Sequence, residues 1–378
     1  MRTLIIALAP SWLGPPRLAR ALRDAGCELA SYAASGSLLE HCTCISTRFG
    51  SNADATIREG ELVRAIAAFR PDRLLPADEH AVSWLHTLHD DGATSASVRD
   101  LIAESLGDPA WYAHTTDKQC MGELAASLGI AVPATAALDT DAAVYDFIHH
   151  RGWPVVIKAR SGFAGMAVFP CATLRDVRKA LRECSNAGGR LIQQYEEGRT
   201  WMVSFVAERG HVLASICAEK LRQHPADVGP ASVVRFQHDV TMCAVANALV
   251  AALGYSGFGS VDFLRTDDGR MLFLEFNPRL TPICHLGARV GIDLAAAYVD
   301  RRTRDSRQPR ELRIALFPQE LLRDPSGAGL ADCWHDLPDD EPALLSALNA
   351  LITAKSPAAS AICVAATRSS MIPSRSAT

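Results

Sequence analysis

The stretch Gly257–Pro282, GFGSVDFLRTDDGRMLFLEFNPRLTP, constrains the fold of this chain more than any other. Two β-prone apolar runs, Ser260–Leu264 and Met271–Phe276, flank Asp268-Gly269, a dipeptide that favours tight hairpin turns. A two-residue turn there pairs Asp267 with Arg270, and counting outward sets Asp262 opposite Glu275. Side chains alternate along a strand, so Asn277 shares the face of Glu275. Val261, Phe263, Leu272, Leu274 and Phe276 then fall on the opposite face as core. Two opposed carboxylates repel each other, and a divalent cation turns that repulsion into binding. Register decides the matter, because a slip of one residue sends the two acids to opposite faces. The competing reading is a solvated hairpin face with an ion pair from Glu275 to Arg279. Asn277-Pro278-Arg279 adds residues that a plain hairpin does not require.

The remaining chain supplies a frame for this hairpin. Thr3–Ala9, Glu28–Tyr32 and Arg73–Pro76 read as strands and alternate with helices over Pro15–Ala25 and Glu61–Phe69. That order argues for a parallel sheet with helices packed on it. The first strand leads into Trp-Leu-Gly-Pro-Pro at 12–16, so a dinucleotide-binding GxGxxG turn is absent. Ala113–Thr135 reads as a helix, a stop at Gly129 and extended backbone around Pro133. Strands at Val155–Lys158, Met166–Phe169 and Leu191–Gln194, with a helix over Leu174–Glu183, make a second, β-rich α+β unit. Met202–Ala207 and Val212–Ala218 flank a turn at Glu208-Arg209-Gly210. A helix over Met242–Leu253 precedes the hairpin, and a further helix over Gly291–Tyr298 follows it.

The boundaries expected from these elements are 1–108 for the N-terminal α/β unit and 109–300 for the hairpin-bearing unit, with a subdomain at about 135–197. A C-terminal extension follows over 301–357, with Arg301–Arg313 as a solvated, arginine-dense loop and a helix over Leu344–Ile352. The Ser-, Ala- and Thr-rich residues 358–378 read as a disordered tail. The 378 residues, 48% apolar and 21% charged, suffice for cores in two or three packed units. A net charge of −4 gives no case for general nucleic-acid binding. The cysteine count of 11 is odd and no CxxC pair has zinc spacing, which predicts reduced, mostly buried thiols in a cytoplasmic protein. No apolar run approaches the roughly 18 residues of a membrane span. MRTLIIALAP imitates a short signal peptide, but a first buried strand is the expectation.

Several short motifs fall in a telling order. Lys118 follows His114-Thr115-Thr116-Asp117 and precedes Gly129-Ile130-Ala131-Val132-Pro133. Lys158 ends the apolar strand after Trp153-Pro154, where an ammonium needs a partner. The small-residue loop Ser161-Gly162-Phe163-Ala164-Gly165 comes next, then Gln193-Gln194-Tyr195-Glu196-Glu197-Gly198, then the hairpin with Arg279. Together, over roughly Ala113–Tyr298, they resemble the ATP-grasp superfamily of ligases, and the first hundred residues match the α/β unit that usually precedes it. The resemblance implies an N-terminal α/β unit of the pre-ATP-grasp type with a parallel sheet. An α+β ATP-grasp fold would follow it, with two subdomains clasping ATP.

By that resemblance Lys118 and Lys158 meet the polyphosphate, a role for which compact ammonium charges are suited. Ser161 and Gly162 belong to a loop that covers the phosphates with backbone N–H groups, although a plain hairpin turn fits the same residues. Gln193, Gln194, Tyr195 and Glu196 form the hinge that reads the adenine. Asp262, Glu275 and Asn277 hold Mg²⁺, with Mn²⁺ as an alternative, and Arg279 and Lys220 are catalytic. The sequence departs from the family pattern in two places. The phosphate loop has only two glycines, and Arg199-Thr200-Trp201 stands where relatives carry an acid for the ribose, with Glu197 as a substitute. Lys220, Arg222, Arg235, His285 and Arg289 carry weaker signals individually. Glu219-Lys220-Leu221-Arg222 precedes His224–Pro230, which resembles a substrate-side loop, and arginine forks suit carboxylates. The implied reaction phosphorylates a carboxylate from ATP and joins it to an amine, with ADP and phosphate released. The alternatives are phosphorylation of bicarbonate or carbamate, and a non-catalytic ATP-binding regulator. The implied partners are small-molecule carboxylate and amine substrates, with neither nucleic acid nor membrane, and homodimerisation is a family habit.

Overall fold

The computed structural model describes residues 1–10, 12–162, 168–184, 188–224, 229–304, 309–330 and 332–355. The expected Phe163–Gly165 part of the small-residue loop, Met166 and Ala167 of the expected strand, residues 225–228 of the substrate-side loop, residues 305–308 of the arginine-dense loop and the 358–378 tail lie outside them.

Four strands, β1 (Arg2–Ala7), β2 (Glu28–Ala34), β3 (Thr47–Ser51) and β4 (Arg73–Pro76), form an all-parallel sheet in the order β3-β2-β1-β4. The continuous apolar run of β1 has its cause in this sheet, because a parallel sheet is covered on both faces. Leu4 and Ile6 enter one core while Ile5 and Ala7 enter another. Asp78 joins the carboxyl ends of β1 and β4. It caps the helix Glu79–Asp90 through the Ala81 N–H at 3.0 Å and accepts from the N–H groups of Leu8 and Ala9 at 2.7 and 2.9 Å. That cap leaves Glu79, the first residue of the helix, just past the carboxyl end of β4.

A second, antiparallel sheet has the order β5-β8-β6-β7, from β5 (Thr135–Ala137), β6 (Val155–Ala159), β7 (Val168–Cys171) and β8 (Arg190–Gln194). The helices Asp141–Arg151 and Leu174–Glu183 cover it, the second opened by a capping box of Thr173 and Asp176. Its core is its own, with Val144, Phe147, Val155, Ile157, Val177 and Ile192 among its members.

The third sheet has the order β13-β12-β9-β10-β11-β14-β15. Its strands are β9 (Gly198–Glu208), β10 (His211–Gln223), β11 (Ala231–Phe236), β12 (Gly257–Thr266), β13 (Met271–Asn277), β14 (Leu312–Leu316) and β15 (Trp334–Asp336). Arg209 and Gly210, both at positive φ, turn β9 into β10. The helix Val240–Ala252 covers one face over Val203, Phe205, Val261 and Phe263. The other face shares a core with β1 and the helix Gly14–Asp24, so the N-terminal sheet and the large sheet are seated on one another. The segment expected as a solvated loop to Arg313 differs at its end. Leu312 and Arg313 begin β14, which pairs with β11 and β15.

The hairpin reaches the anticipated alignment by a different route. Thr266 N–H donates to Arg270 O at 3.0 Å, so the loop is the three residues Asp267-Asp268-Gly269 and the Asp267–Arg270 pair does not form. Gly269, at φ 88°, supplies the left-handed residue such a loop requires. The ladder then runs one residue out of the expected register through Phe263↔Phe273. A bulge at Leu274 restores it, and Asp262 stands opposite Glu275. The two departures cancel at the acids but not on the core face. Phe273 and Phe276 join Val261 and Phe263 there, Leu272 is buried outside that cluster, and Leu274 turns away from it.

The N-terminal unit is fastened to the large sheet at Gly107, which ends the helix Ala96–Leu106 at φ 98° and bridges to Tyr255. A Cβ on Gly107 would lie 2.3 Å from Gly254 O. Gly107→Ala is expected to lower stability by roughly 1–3 kcal/mol, read as a lower urea midpoint with an unchanged m-value.

Candidate active site

Between the second and third sheets lies a cleft of about 1140 Å³. Val156, Pro154 and the hinge Gln193–Glu196 wall it on one side, and Leu264 and Leu274 on the other. Leu274 was assigned to the core by strict alternation; the bulge points it here instead. Lys118, Lys158, Lys220, Asp262, Glu275, Asn277 and Arg279 complete the lining. Ser161 and Gly162 do not line it. They border a smaller cavity of about 60 Å³ that Lys118, Glu275 and Asn277 also line.

Lys158 ends β6 with only 7% of its surface exposed. Its ammonium donates to Gln193 Oε1 at 3.3 Å, and Gln193 Nε2 donates to Thr135 Oγ1 at 2.8 Å. Burial lowers the Lys158 pKa to about 8, with Glu275 opposing and Lys118 adding to the fall. Lys118 opens the helix Lys118–Ser127, where Asp117 caps the N–H groups of Gln119 and Cys120 at 2.8 and 3.1 Å. The Lys118 ammonium donates to Gly162 O at 2.6 Å and lies 3.8 Å from Glu275 Oε1. Arg160 fixes this end by pairing with Asp117 at 3.0 Å while its carbonyl accepts the Lys118 N–H at 2.9 Å. Burial alone would raise the Asp117 pKa, but the Arg160 guanidinium and the two capped N–H groups outweigh it and hold the carboxyl low.

The opposing wall is acidic. Asp262 Oδ2 accepts from the Lys220 ammonium at 2.7 Å, whereas Oδ1 is buried with no partner. Burial raises the Asp262 pKa; Lys220 resists that rise and Glu275 reinforces it. Asn277 Oδ1 accepts from Arg279 at 3.3 Å. The alternative Glu275–Arg279 ion pair does not form, because Arg279 pairs with Glu79 from the N-terminal unit and lies 4.5 Å over the Trp12 ring. A partnerless buried carboxylate oxygen, a second carboxylate and an amide oxygen are hard donors, so the residues present fit Mg²⁺.

At the hinge, Gln194 N–H donates to Ala134 O at 2.8 Å and Tyr195 N–H to Pro154 O at 3.2 Å. Those two donors are therefore spent within their own sheet. Glu196 pairs with Arg270 at 3.1 Å. Among the weaker candidates, Arg235 joins Arg199 on the buried Glu219, and Arg222 pairs with Glu320 at 3.0 Å. His285 is locked to Asp336 at 2.9 Å, and Arg289 stacks 4.1 Å over Trp334. These four do not converge on the acidic wall. Sequence reasoning missed Glu79, Trp12, the Asp117–Arg160 pair and Leu274. Of these, only Glu79 carried a signal, as an acid just past the end of a parallel strand.

Fold and site define a two-lobed clasp whose cleft opposes lysines to a carboxylate-bearing hairpin. Residues 117–282 match the family model described as the ATP-grasp domain. A putative urea carboxylase of Emericella nidulans is 27% identical over 202 residues, which is 47% of this chain but only 16% of that protein. A D-alanine–D-alanine ligase of Francisella tularensis subsp. tularensis is 23% identical over 232 residues, 57% of this chain and 73% of that one. The biotin carboxylase domain of the Hydrogenobacter thermophilus 2-oxoglutarate carboxylase, solved with MgADP, ADP and bicarbonate, superposes with a TM-score of 0.63 at 14% identity. That alignment covers 82% of this chain and 73% of that domain. The chain carries an ATP-grasp domain and has the fold of the ATP-grasp superfamily.

The lowered Lys158 pKa has a measurable consequence. Its ammonium is present below about pH 8 and is lost as pH rises through that value. The affinity for a non-hydrolysable ATP analogue should fall above pH 8, by roughly tenfold over one pH unit at the steepest. Lys158→Arg, which keeps its charge, should flatten the profile in a calorimetric titration.

Proposed function

We propose that this protein is an ATP- and Mg²⁺-dependent ligase that activates a carboxylate as an acyl phosphate and joins it to an amine. The observation that carries this reading is the single cleft in which Lys118 and Lys158 face Asp262, Glu275 and Asn277, with Arg279 and Lys220 alongside. Lys118 and Lys158 bind the polyphosphate, and the Lys158–Gln193 hydrogen bond orients one ammonium before ATP arrives. Asp262, Glu275 and Asn277 would hold Mg²⁺, which when bound neutralises phosphate charge. Arg279, held by Glu79 and Trp12, stabilises negative charge on the transferring phosphoryl group and the acyl phosphate. Lys220 stands beside Asp262 with its ammonium toward the same region. The sheet β5-β8-β6-β7 closes over the nucleotide and keeps water from the acyl phosphate. Catalysis is then chiefly positioning and electrostatics, and no side chain serves as a nucleophile.

The match to the D-alanine–D-alanine ligase supports the carboxylate–amine chemistry. The match to the putative urea carboxylase supports a second reading, in which bicarbonate is the carboxylate that is phosphorylated. One assay separates them. ADP release is followed with ATP and Mg²⁺ against pairs of small carboxylates and amines, and separately with bicarbonate. The first reading expects turnover that needs both co-substrates; dependence on bicarbonate favours the second. Glu275→Gln should lower either rate by at least about a hundredfold, since even residues that only orient metal ligands cost 10–100-fold. ADP release that is unaffected in Glu275→Gln would remove the hairpin from the mechanism.

A further inference from the structure

Three residues from three successive parts of the chain meet on the helix-covered side of the large sheet. Cys217 lies on β10, His238 in the link after β11, and Cys243 in the first turn of the helix Val240–Ala252. The Cys217 and Cys243 sulfurs are 3.4 Å apart, and one ligand atom from each of the three residues falls within 4.8 Å of the other two. Two thiolates on one tetrahedral zinc, at about 2.3 Å each, stand about 3.8 Å apart, so little movement is needed to admit the ion. Cys217 is buried, while His238 and Cys243 are half-buried and leave a route from solvent. The other contacts of the sulfurs are weak. Cys217 Sγ lies 3.8 Å from Asp239 O and Cys243 Sγ lies 3.7 Å from Ser215 Oγ. The position of the helix is fixed independently by Asp239, which caps the Met242 N–H at 2.9 Å and so sets Cys243 against β10.

We propose that Cys217, His238 and Cys243 form a binding site for a thiophilic divalent cation of the Zn²⁺ class, separate from the cleft. None of the three lines the cleft, whose donors are oxygens suited to a hard cation. Three protein ligands leave one tetrahedral position for water. The ion would clip the start of the helix to β10, a structural link beneath the sheet that carries Lys220 and Asp262. Spacing along the chain could not show this site, because its ligands come from three different elements and no CxxC pair marks it.

The test is a Co²⁺ titration of the chelator-treated, reduced full-length protein in excess Mg²⁺, which saturates oxygen-ligand sites. One equivalent of Co²⁺ should produce thiolate-to-metal charge-transfer absorption, and Zn²⁺ should abolish it by displacement. Cys243→Ser and His238→Gln should each weaken the titration at least about tenfold. Cys333→Ser should leave it unchanged. Zn²⁺ should also raise the melting temperature of the parent protein but not of Cys243→Ser, because binding to the folded state alone stabilises it. Absence of the absorption, or its survival in both Cys243→Ser and His238→Gln, overturns the proposal. So does a Cys217–Cys243 disulfide that, once reduced, leaves a protein that takes up no metal.

Discussion

Asp262 and Glu275 lie side by side on adjacent strands, and most of the charged architecture answers to that juxtaposition. Lys220 sits on one carboxylate and Lys118 approaches the other. Lys158, buried on β6, draws part of its charge stability from Glu275 across the cleft. A buried ammonium without such a field would lose more of its proton affinity, and Asp262 without Lys220 would resist ionisation more strongly. Of these three ammoniums only Lys158 comes from the other lobe, because Lys220 is on β10 in the acids' own sheet and the helix that Lys118 opens packs on that sheet through Met121 and Ala125. The acids are thus offset chiefly from their own side, and Lys158 adds its charge from across the cleft.

The mechanical division follows from where the cores lie. The N-terminal sheet and the large sheet share one apolar core, and Glu79 reaches across their junction to Arg279. The sheet β5-β8-β6-β7 has a core of its own and meets the remainder mainly around the cleft. Lys118 and Arg160 link its rim to the hairpin through Gly162 and Asp117. Motion of this unit as a body would move Lys158 and the hinge together while Asp262, Glu275, Asn277 and Arg279 stay in place.

Much of this was legible in the sequence because strands announce themselves by apolar runs and the runs end at recognisable turns. The alternation of strand and helix near the N-terminus and the extended backbone around Pro133 needed only local rules. The facing of Asp262 and Glu275 was reached through two compensating errors. A three-residue loop was read as two, and the bulge at Leu274 was not foreseen. A bulge has no local sequence signature, since it arises from how a strand meets its neighbours. Glu79, Trp12 and the Asp117–Arg160 pair were hidden for a related reason. Their partners lie in other elements, and only the assembled fold brings them within reach. The ion pairs that consume Arg222 and Arg235 depend on Glu320 and Glu219 in the same way.

The pairing of β14 with β11 bears on where this chain can be cut. The region that carries the family signature stops at residue 282, yet β11 within it is completed only by Leu312–Leu316, and β15 completes β14 in turn. A fragment ending with the signature would present the bare N–H and C=O groups of β11 as an open edge, a template for pairing with another chain. The segment beyond residue 300 is thus a selvedge to the large sheet. It finishes a margin that the domain carrying the family signature cannot finish for itself.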